Sequence, residues 1–362
     1  MRTVGRAAPG TDTARQLAAI TPSEHTQDFD IHGLLKIRTN VPLVPGIPEH
    51  FRSRSMDPDL EVLRVADLPA PADEAVKGMV GYPRTCDLGD GEAYFECPAP
   101  FLHYLGSASR WKFLLRGIAE DETRILTAFP GFAGWPIIAR LQDLLSRLVY
   151  LVITIKLARR GVALCHASAA AHGDRAYVLF GYGGTGKTTL TKALMDSVCD
   201  GFLSDDYVLA RGTGELLCWP DYYPPHSDEQ GTPGLRYLFG RYRQTTRAPF
   251  PIRKNAEVDA ILFLEHGKSE VMELTAEEAS RRAMLLNMEE IWRLWNSPAS
   301  QLLGQYAYFN SRLDIREFLE RYAAIVSSFV DRASRRLVVR SPSPTFEMTR
   351  GLVSDLTRRM TR

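Results

Sequence analysis

No stretch of this chain is both long and apolar. The longest such run, Leu148 to Ile155, is interrupted by Tyr150 and Thr154. It falls far short of the roughly 20 residues a helical bilayer span requires, so no membrane partner is expected. Residues 1–25 lack the apolar core of a secretory signal. Cysteine is scarce. Cys86, Cys97, Cys165, Cys199 and Cys218 are five in number, and no pair has C-x-x-C spacing. Neither a disulfide framework nor a cysteine zinc site is expected, and a reducing cytoplasm is the natural compartment. Net charge is missing too. The chain has 44 basic and 43 acidic residues, a net of +1, which argues against nucleic acid as a partner. Internal repeats and low-complexity tracts are absent.

What remains has the composition of an ordinary globular protein, 45% hydrophobic and 24% charged over 362 residues. That length suggests two domains. Residues 1–27 are polar and read as a flexible leader, with a short helical pattern at Ala14 to Ile20. Residues 28–135 read as a β-rich N-terminal domain. Its short apolar runs are Ile31 to Arg38, Leu60 to Val65, Ala93 to Cys97, Trp111 to Leu115 and Ile125 to Phe129, separated by clusters such as Asp87-Leu-Gly-Asp-Gly. His32, His50 and His103 are scattered through it and form no catalytic set. Residues 136–362 read as an α/β domain ending in helices. Apolar residues from Ile137 to Ile155 recur at helical steps, and Arg159, Arg160 and Gly161 close that helix. Further helices are expected at 276–295, 313–330 and 346–360. Strands are expected at Ala260 to Glu265, paired with Val271 to Leu274 through a Gly267-Lys268 turn, and at Arg336 to Arg340.

The most specific signal lies in the second part. Gly181-Tyr-Gly183-Gly184-Thr185-Gly186-Lys187-Thr188 fits G-x-x-x-x-G-K-S/T without a mismatch. It follows the apolar Ala176 to Phe180 and precedes a helical pattern of Leu190, Leu194 and Val198. A phosphate loop needs this placing, because its amides and the helix N-terminus must converge on one anion. The Gly183 to Thr189 amides would cradle the phosphates of ATP, and Lys187 would reach the β- and γ-phosphates. The Thr188 hydroxyl would face Mg²⁺. A carboxylate is needed nearby, and Asp205-Asp206 follows the apolar Phe202-Leu203. One of the pair suits the metal. The other suits either a turn or the removal of a proton from an attacking hydroxyl. His166 ends the short strand before the loop strand, within reach of such a site.

Residues 230–256 contain no acid but carry Arg236, Arg241, Arg243, Arg247, Arg253 and Lys254. They read equally as a solvated loop or as a phosphate or substrate clamp, with Arg253 and Lys254 as candidates. A guanine-specific N/T-K-x-D is absent, which sets GTPases aside.

The segments His166-Ala-Ser-Ala-Ala, Val178-Leu-Phe-Gly181-x-Gly-Gly-Thr-Gly-Lys-Thr-Thr-Leu and Leu203-Ser-Asp205-Asp206-Tyr-Val together resemble the HPr kinase/phosphorylase catalytic domain. More broadly they resemble the group with the phosphoenolpyruvate carboxykinase-type nucleotide fold. The likeness is specific over Leu157 to Ala210 and looser to Leu274. It implies a P-loop kinase domain using ATP and Mg²⁺ to phosphorylate a serine-type hydroxyl on a carrier protein, a peptide or a small metabolite. It also implies that Thr188 and Asp205 organise the metal, that Asp206 is the general base and that His166 borders the phosphoryl site. The same residues suit a nucleotide-binding regulatory or scaffold protein, and more distantly a carboxykinase-like enzyme. A homo-oligomer is left open.

Overall fold

The described residues in the computed structural model are 26–341, apart from 42, 44–45, 55–56, 69–70, 72–83, 99–109, 129–136, 222–247 and 296–297. The leader with its Ala14 to Ile20 pattern, His103, most of the acid-free segment and the helix expected at 346–360 lie outside them. The architecture is mixed α/β, with two large sheets and few helices. The chain divides into two compact units, Met1–Val152 with Leu294–Ile315 and Ile153–Arg293 with Arg316–Arg362.

In the first unit, eight strands form one sheet. They are β1 (Gln27–Ile31), β2 (Leu35–Thr39), β3 (Arg52–Ser53), β4 (Leu60–Arg64), β5 (Arg84–Gly89), β6 (Glu92–Pro98), β7 (Arg110–Arg116) and β8 (Thr123–Ala128), in the spatial order β3-β1-β2-β4-β8-β7-β6-β5. The apolar run at Ile31 to Arg38, read as one strand, is instead the middle of a β1–β2 hairpin. His32 and Gly33 turn the chain with φ of 55° and 69°, and the Asp30 carboxylate accepts from the Gly33 N–H at 2.6 Å. The cluster at Asp87 to Gly91 is likewise a hairpin turn, between β5 and β6. On one face of the sheet Leu63, Val65, Leu68, Tyr94, Leu114 and Leu126 form a buried cluster. Helix α1 (Ile137–Arg159) begins in this unit.

The second unit is built on β9 (Val162–His166), β10 (Ser168–His172), β11 (Arg175–Gly181), β12 (Gly201–Ser204), β13 (Tyr207–Arg211), β14 (Glu215–Leu217), β15 (Asn255–His266), β16 (Glu270–Glu273) and β17 (Arg335–Ser341). Their order is β12-β10-β11-β15-β14-β13-β9, and β17 also pairs with β15 and β16. Strands β11, β15 and β17 run parallel. The continuous apolar runs of β11 (Ala176 to Phe180) and β15 (Ala260 to Leu264) suit a sheet covered on both faces. The expected pairing of 260–265 with 271–274 is not formed. Strand β17 lies between them, parallel to β15 and antiparallel to β16, because its buried Leu337, Val338 and Val339 fill the position that a simple hairpin would leave uncovered.

Helix α2 (Lys187–Ser197) follows β11 and lays Leu190, Ala193 and Leu194 against Tyr177, Leu179, Leu262 and Leu264. Each such buried leucine contributes about 1.5–3 kcal/mol. Helix α3 (Ala276–Trp295) opens on a capping box. The Thr275 hydroxyl accepts from the Glu278 N–H and the Glu278 carboxylate accepts from the Thr275 N–H, both at 3.2 Å. Helix α4 (Pro298–Phe309) returns to the first unit. There the buried Tyr306 hydroxyl donates to Gly91 O at 2.7 Å and accepts from the Ile118 N–H at 3.2 Å. Helix α5 (Ile315–Arg332) buries Phe318, Tyr322, Ile325, Val326, Phe329 and Val330. Among the described residues no helix is long and apolar enough to cross a membrane.

Candidate functional site

Two long bent strands create the site. Strands β9 and β10 are consecutive, separated only by Ala167, and β12 and β13 are separated only by Asp205 and Asp206. The two segments pair antiparallel along their length, with His166 opposite Tyr207 and Ala169 opposite Ser204. Both bend at the same place. The ladder slips by one residue between Ala169 and Ala170, the signature of a bulge, which sharpens local twist and can re-aim side chains. Asp205 and Asp206 form the bend between β12 and β13, two residues past that bulge. The Asp206 carbonyl accepts from the Ala167 N–H at 3.1 Å, and the Ser168 hydroxyl donates to the Asp205 carbonyl.

The kink lies at the level of the phosphate loop. Ser168 on β10 pairs with Leu179 on β11, two residues before Gly181. Past Ser168 the segment leaves β11, and His166 pairs with Tyr207 on β13 instead. Strand β12, parallel to β11, ends at the same edge. Two inter-strand steps of about 4.8 Å put its carboxyl end roughly 10 Å from that of β11. Gly181 and the aspartate pair thus follow the carboxyl ends of two parallel strands at one edge of the sheet, where open α/β sheets bind ligands, and His166 joins them through its contact with Asp206.

The loop itself is preformed. Gly184 and Gly186 take φ of 84° and 93°, conformations that a residue with a Cβ enters only at a cost of roughly 1–2 kcal/mol. Gly181 is needed for closeness instead, since a Cβ there would lie 2.9 Å from Leu264 O. The Thr185 hydroxyl donates to Tyr182 O at 2.8 Å. The buried Lys187 ammonium donates to Gly181 O at 2.6 Å and to Tyr182 O at 3.3 Å. Gly183 and Gly184 are exposed, and Thr185, Thr188 and Thr189 are half-buried. A Cβ added at Gly183 or Gly184 would meet nothing within 4 Å. The loop thus presents open backbone at the start of α2, which suits phosphate oxygens.

His166 is 15% exposed, and its Nδ1 lies 3.3 Å from Asp206 Oδ1. The imidazole meets the Tyr207 ring edge-on at 5.7 Å. Its backbone N–H donates to the Asn287 amide oxygen at 2.8 Å, and Asn287 in turn donates to Ala283 O within α3. From α5 the Tyr322 hydroxyl donates to Leu164 O at 2.8 Å. Two C-terminal helices thereby pin β9. Neither Asn287 nor Tyr322 stands out in the sequence, because each contact spans more than a hundred residues.

Asp221 is a further residue that sequence reasoning missed. It sits in the irregular stretch after β14, yet its side chain is buried. Its carboxylate accepts from the Ser204 hydroxyl at 3.2 Å and from the Asp206 backbone N–H. Burial first, then the charges of Asp206 and Asp205, push this carboxyl well above the usual carboxylate range. The only sequence signal was its acidity within an apolar Cys-Trp-Pro context.

Arg253 and Lys254 are not brought to the loop. The Arg253 guanidinium pairs with Asp174, in the β10–β11 turn, and lies 3.8 Å from Asp200, just before β12. Lys254 immediately precedes β15, and its carbonyl accepts from the Cys218 N–H at 2.9 Å. Both are at the amino ends of β11, β12 and β15. Six residue steps along β11 separate that edge from Gly181, roughly 20 Å. The Arg253 charge is met by Asp174 and Asp200, which are remote in sequence.

Among the described residues, no group of three or more His, Cys, Asp or Glu side chains is placed to hold a metal ion. The oxygen donors at this edge are the Thr188 hydroxyl and the aspartate pair. Such a set suits Mg²⁺, which prefers few protein ligands and completes its shell with phosphate and water oxygens. No protein-family model matches the chain, and no curated protein matches its sequence.

Proposed function

We propose that this chain is an ATP- and Mg²⁺-dependent phosphotransferase of the HPr kinase/phosphoenolpyruvate carboxykinase type. Its acceptor would be a hydroxyl on a peptide, protein or small metabolite. The observation that carries the reading is the gathering of a complete phosphate loop and a kinked aspartate pair at one edge of one sheet. A glycine-rich turn alone would explain the loop, and a bulge alone would explain the kink. Neither explains why both occur at the carboxyl ends of parallel strands that share the antiparallel β10 between them.

In this reading the amides of Gly183 to Thr189 bind the phosphates. The Lys187 ammonium leaves its contact with Gly181 O to follow the γ-phosphoryl charge. Thr188 and Asp205 would hold Mg²⁺, which when bound offsets charge between the β- and γ-phosphates. Asp206 accepts the proton of the acceptor hydroxyl as the new O–P bond forms and the bond to the β-phosphate oxygen breaks. His166 holds the Asp206 carboxylate from one side, and Asn287 fixes the backbone on which His166 sits.

The test is transfer from γ-labelled ATP with Mg²⁺ to serine-type acceptors, including peptides and carrier proteins encoded beside this chain. Transfer is expected from the wild-type chain. Asp206→Asn should bind ATP with unchanged affinity but lose roughly 10²–10⁴-fold in transfer rate, the usual contribution of a positioned base. Full transfer by Asp206→Asn would remove the base from the scheme. ATP binding with no transfer to any of these acceptors would favour a nucleotide-binding regulatory protein.

A further inference from the structure

Asp221 is 3% exposed, and it lies beside two other aspartates. Burying a carboxylate next to like charges is costly. Nothing in the local strand pattern requires an acid there, since the Asp221 N–H is already satisfied by Trp219 O at 2.7 Å. The side chain must therefore do something that an apolar residue of the same size would not.

Its contacts say what. The carboxylate accepts from the Ser204 hydroxyl on one side of the aspartate pair and from the Asp206 N–H within it. The Ser204 oxygen also accepts from the Tyr207 N–H at 3.1 Å. One buried group thus ties the residue before the kink, the second aspartate and the residue after it. The opposite side of the same backbone is tied by Ser168 and Ala167 of the partner strands. A main chain held from both sides fixes the directions in which the Asp205 and Asp206 side chains leave it. Metal and proton-transfer sites lose activity when such supporting bonds are removed, because displacements of about 1 Å matter.

We infer that Asp221 is a positioning residue, one that clamps the Asp205–Asp206 kink from below so that both carboxylates keep a fixed aim toward the phosphate loop. This rests on the phosphotransferase reading above. Asp221 itself touches neither nucleotide nor acceptor in this scheme.

The experiment uses the full chain and the non-hydrolysable probe AMP-PNP, titrated calorimetrically with and without Mg²⁺. The variants are Asp221→Ala, Asp221→Asn and Ser204→Ala, each checked for cooperative unfolding. The wild-type chain should bind AMP-PNP more tightly when Mg²⁺ is present. Asp221→Ala should keep its metal-free affinity within about twofold while losing most of the Mg²⁺-dependent gain, roughly tenfold, the lower end of losses for such supporting groups. Asp221→Asn should fall between, since its amide oxygen can still accept one of the two bonds. Ser204→Ala should lose part of the Mg²⁺-dependent gain with the carboxylate intact, and it decides the matter if Asp221→Ala does not fold. The inference is overturned if the folded variants keep the full Mg²⁺-dependent gain, or if they lose metal-free and metal-dependent binding in equal measure. If the wild-type chain does not bind AMP-PNP at all, the phosphotransferase reading fails first and the positioning role falls with it.

Discussion

Replacing Gly181 by alanine puts a methyl group into a gap that two neighbouring segments have already closed. The new Cβ would lie 2.5 Å from Thr185 Oγ1, 2.9 Å from Leu264 O and 3.3 Å from Leu264 Cβ. The threonine hydroxyl can rotate away, giving up its bond to Tyr182 O, a loss of about 0.5–1.5 kcal/mol. The Leu264 carbonyl cannot. It belongs to β15, held by β11 on one side and β17 on the other. Relieving that contact requires a backbone shift of a few tenths of an ångström, and such overpacking costs about 1–3 kcal/mol. The loss of unfolded-chain freedom returns about 0.4–1 kcal/mol. The net is a destabilisation of roughly 0.5–4 kcal/mol, centred on about 2, or a fall in Tm of roughly 4–8 °C at that centre for a unit of this size. Calorimetric unfolding of the full chain measures it. Gly183→Ala is the control, because its Cβ would meet nothing within 4 Å, and its Tm should stay within about 2 °C of the wild type. Equal Tm values for Gly181→Ala and the wild type would refute the close approach of the loop to β15.

Four other outcomes follow from the same structure. Asn287→Ala should remove the acceptor for the part-buried His166 N–H; a loss of about 1 kcal/mol in denaturant unfolding is expected, with the transfer rate reduced more than the ATP affinity. Tyr306→Phe should leave the Ile118 N–H and the Asn310 amide without their shared hydroxyl, with a similar cost read as a lower midpoint for the first unit. Arg253→Ala should leave nucleotide affinity unchanged and cost no more than about 1 kcal/mol, because its partners Asp174 and Asp200 are exposed. The thiols of Cys97, Cys165, Cys199 and Cys218 are pushed up to about 12 by burial. A raised folded-state value means that the folded chain keeps protons that the unfolded chain releases. Stability from these groups is full below the unfolded thiol range of about 8.5 and declines as pH rises toward 12. Urea midpoints between pH 7.5 and 10.5 should fall less in variants with Cys199 and Cys218 replaced by alanine.

Much of this could be read along the chain where the signal is local. The phosphate loop, its flanking strand and helix, and helix α3 with its acidic first turn depend on residues within a few turns of one another. The failures share one cause, which is distance in sequence. Strand β17 enters between two strands that look like a hairpin, because a buried Leu-Val-Val triplet seventy residues away competes for the same edge. Helix α4 carries no marked periodic stripe, and its anchor Tyr306 finds Gly91 across more than two hundred residues. Arg253 reads as a free cation until Asp174 and Asp200 are placed beside it. Asp221 has no strand or helix pattern of its own, and its role exists only once the ribbon has bent. Asp205 and Asp206 were legible as chemistry, but not as the kink that aims them.

The central claim is that Lys187 and the loop around it bind the phosphates of ATP. Titration calorimetry of Mg·ATP against the wild-type chain and Lys187→Ala measures this directly. A charged hydrogen-bond donor to phosphate contributes about 1.5–3 kcal/mol, so the variant should bind roughly 10- to 150-fold more weakly while still unfolding cooperatively. Equal affinity in the two proteins, or no binding by the wild-type chain, would contradict the account.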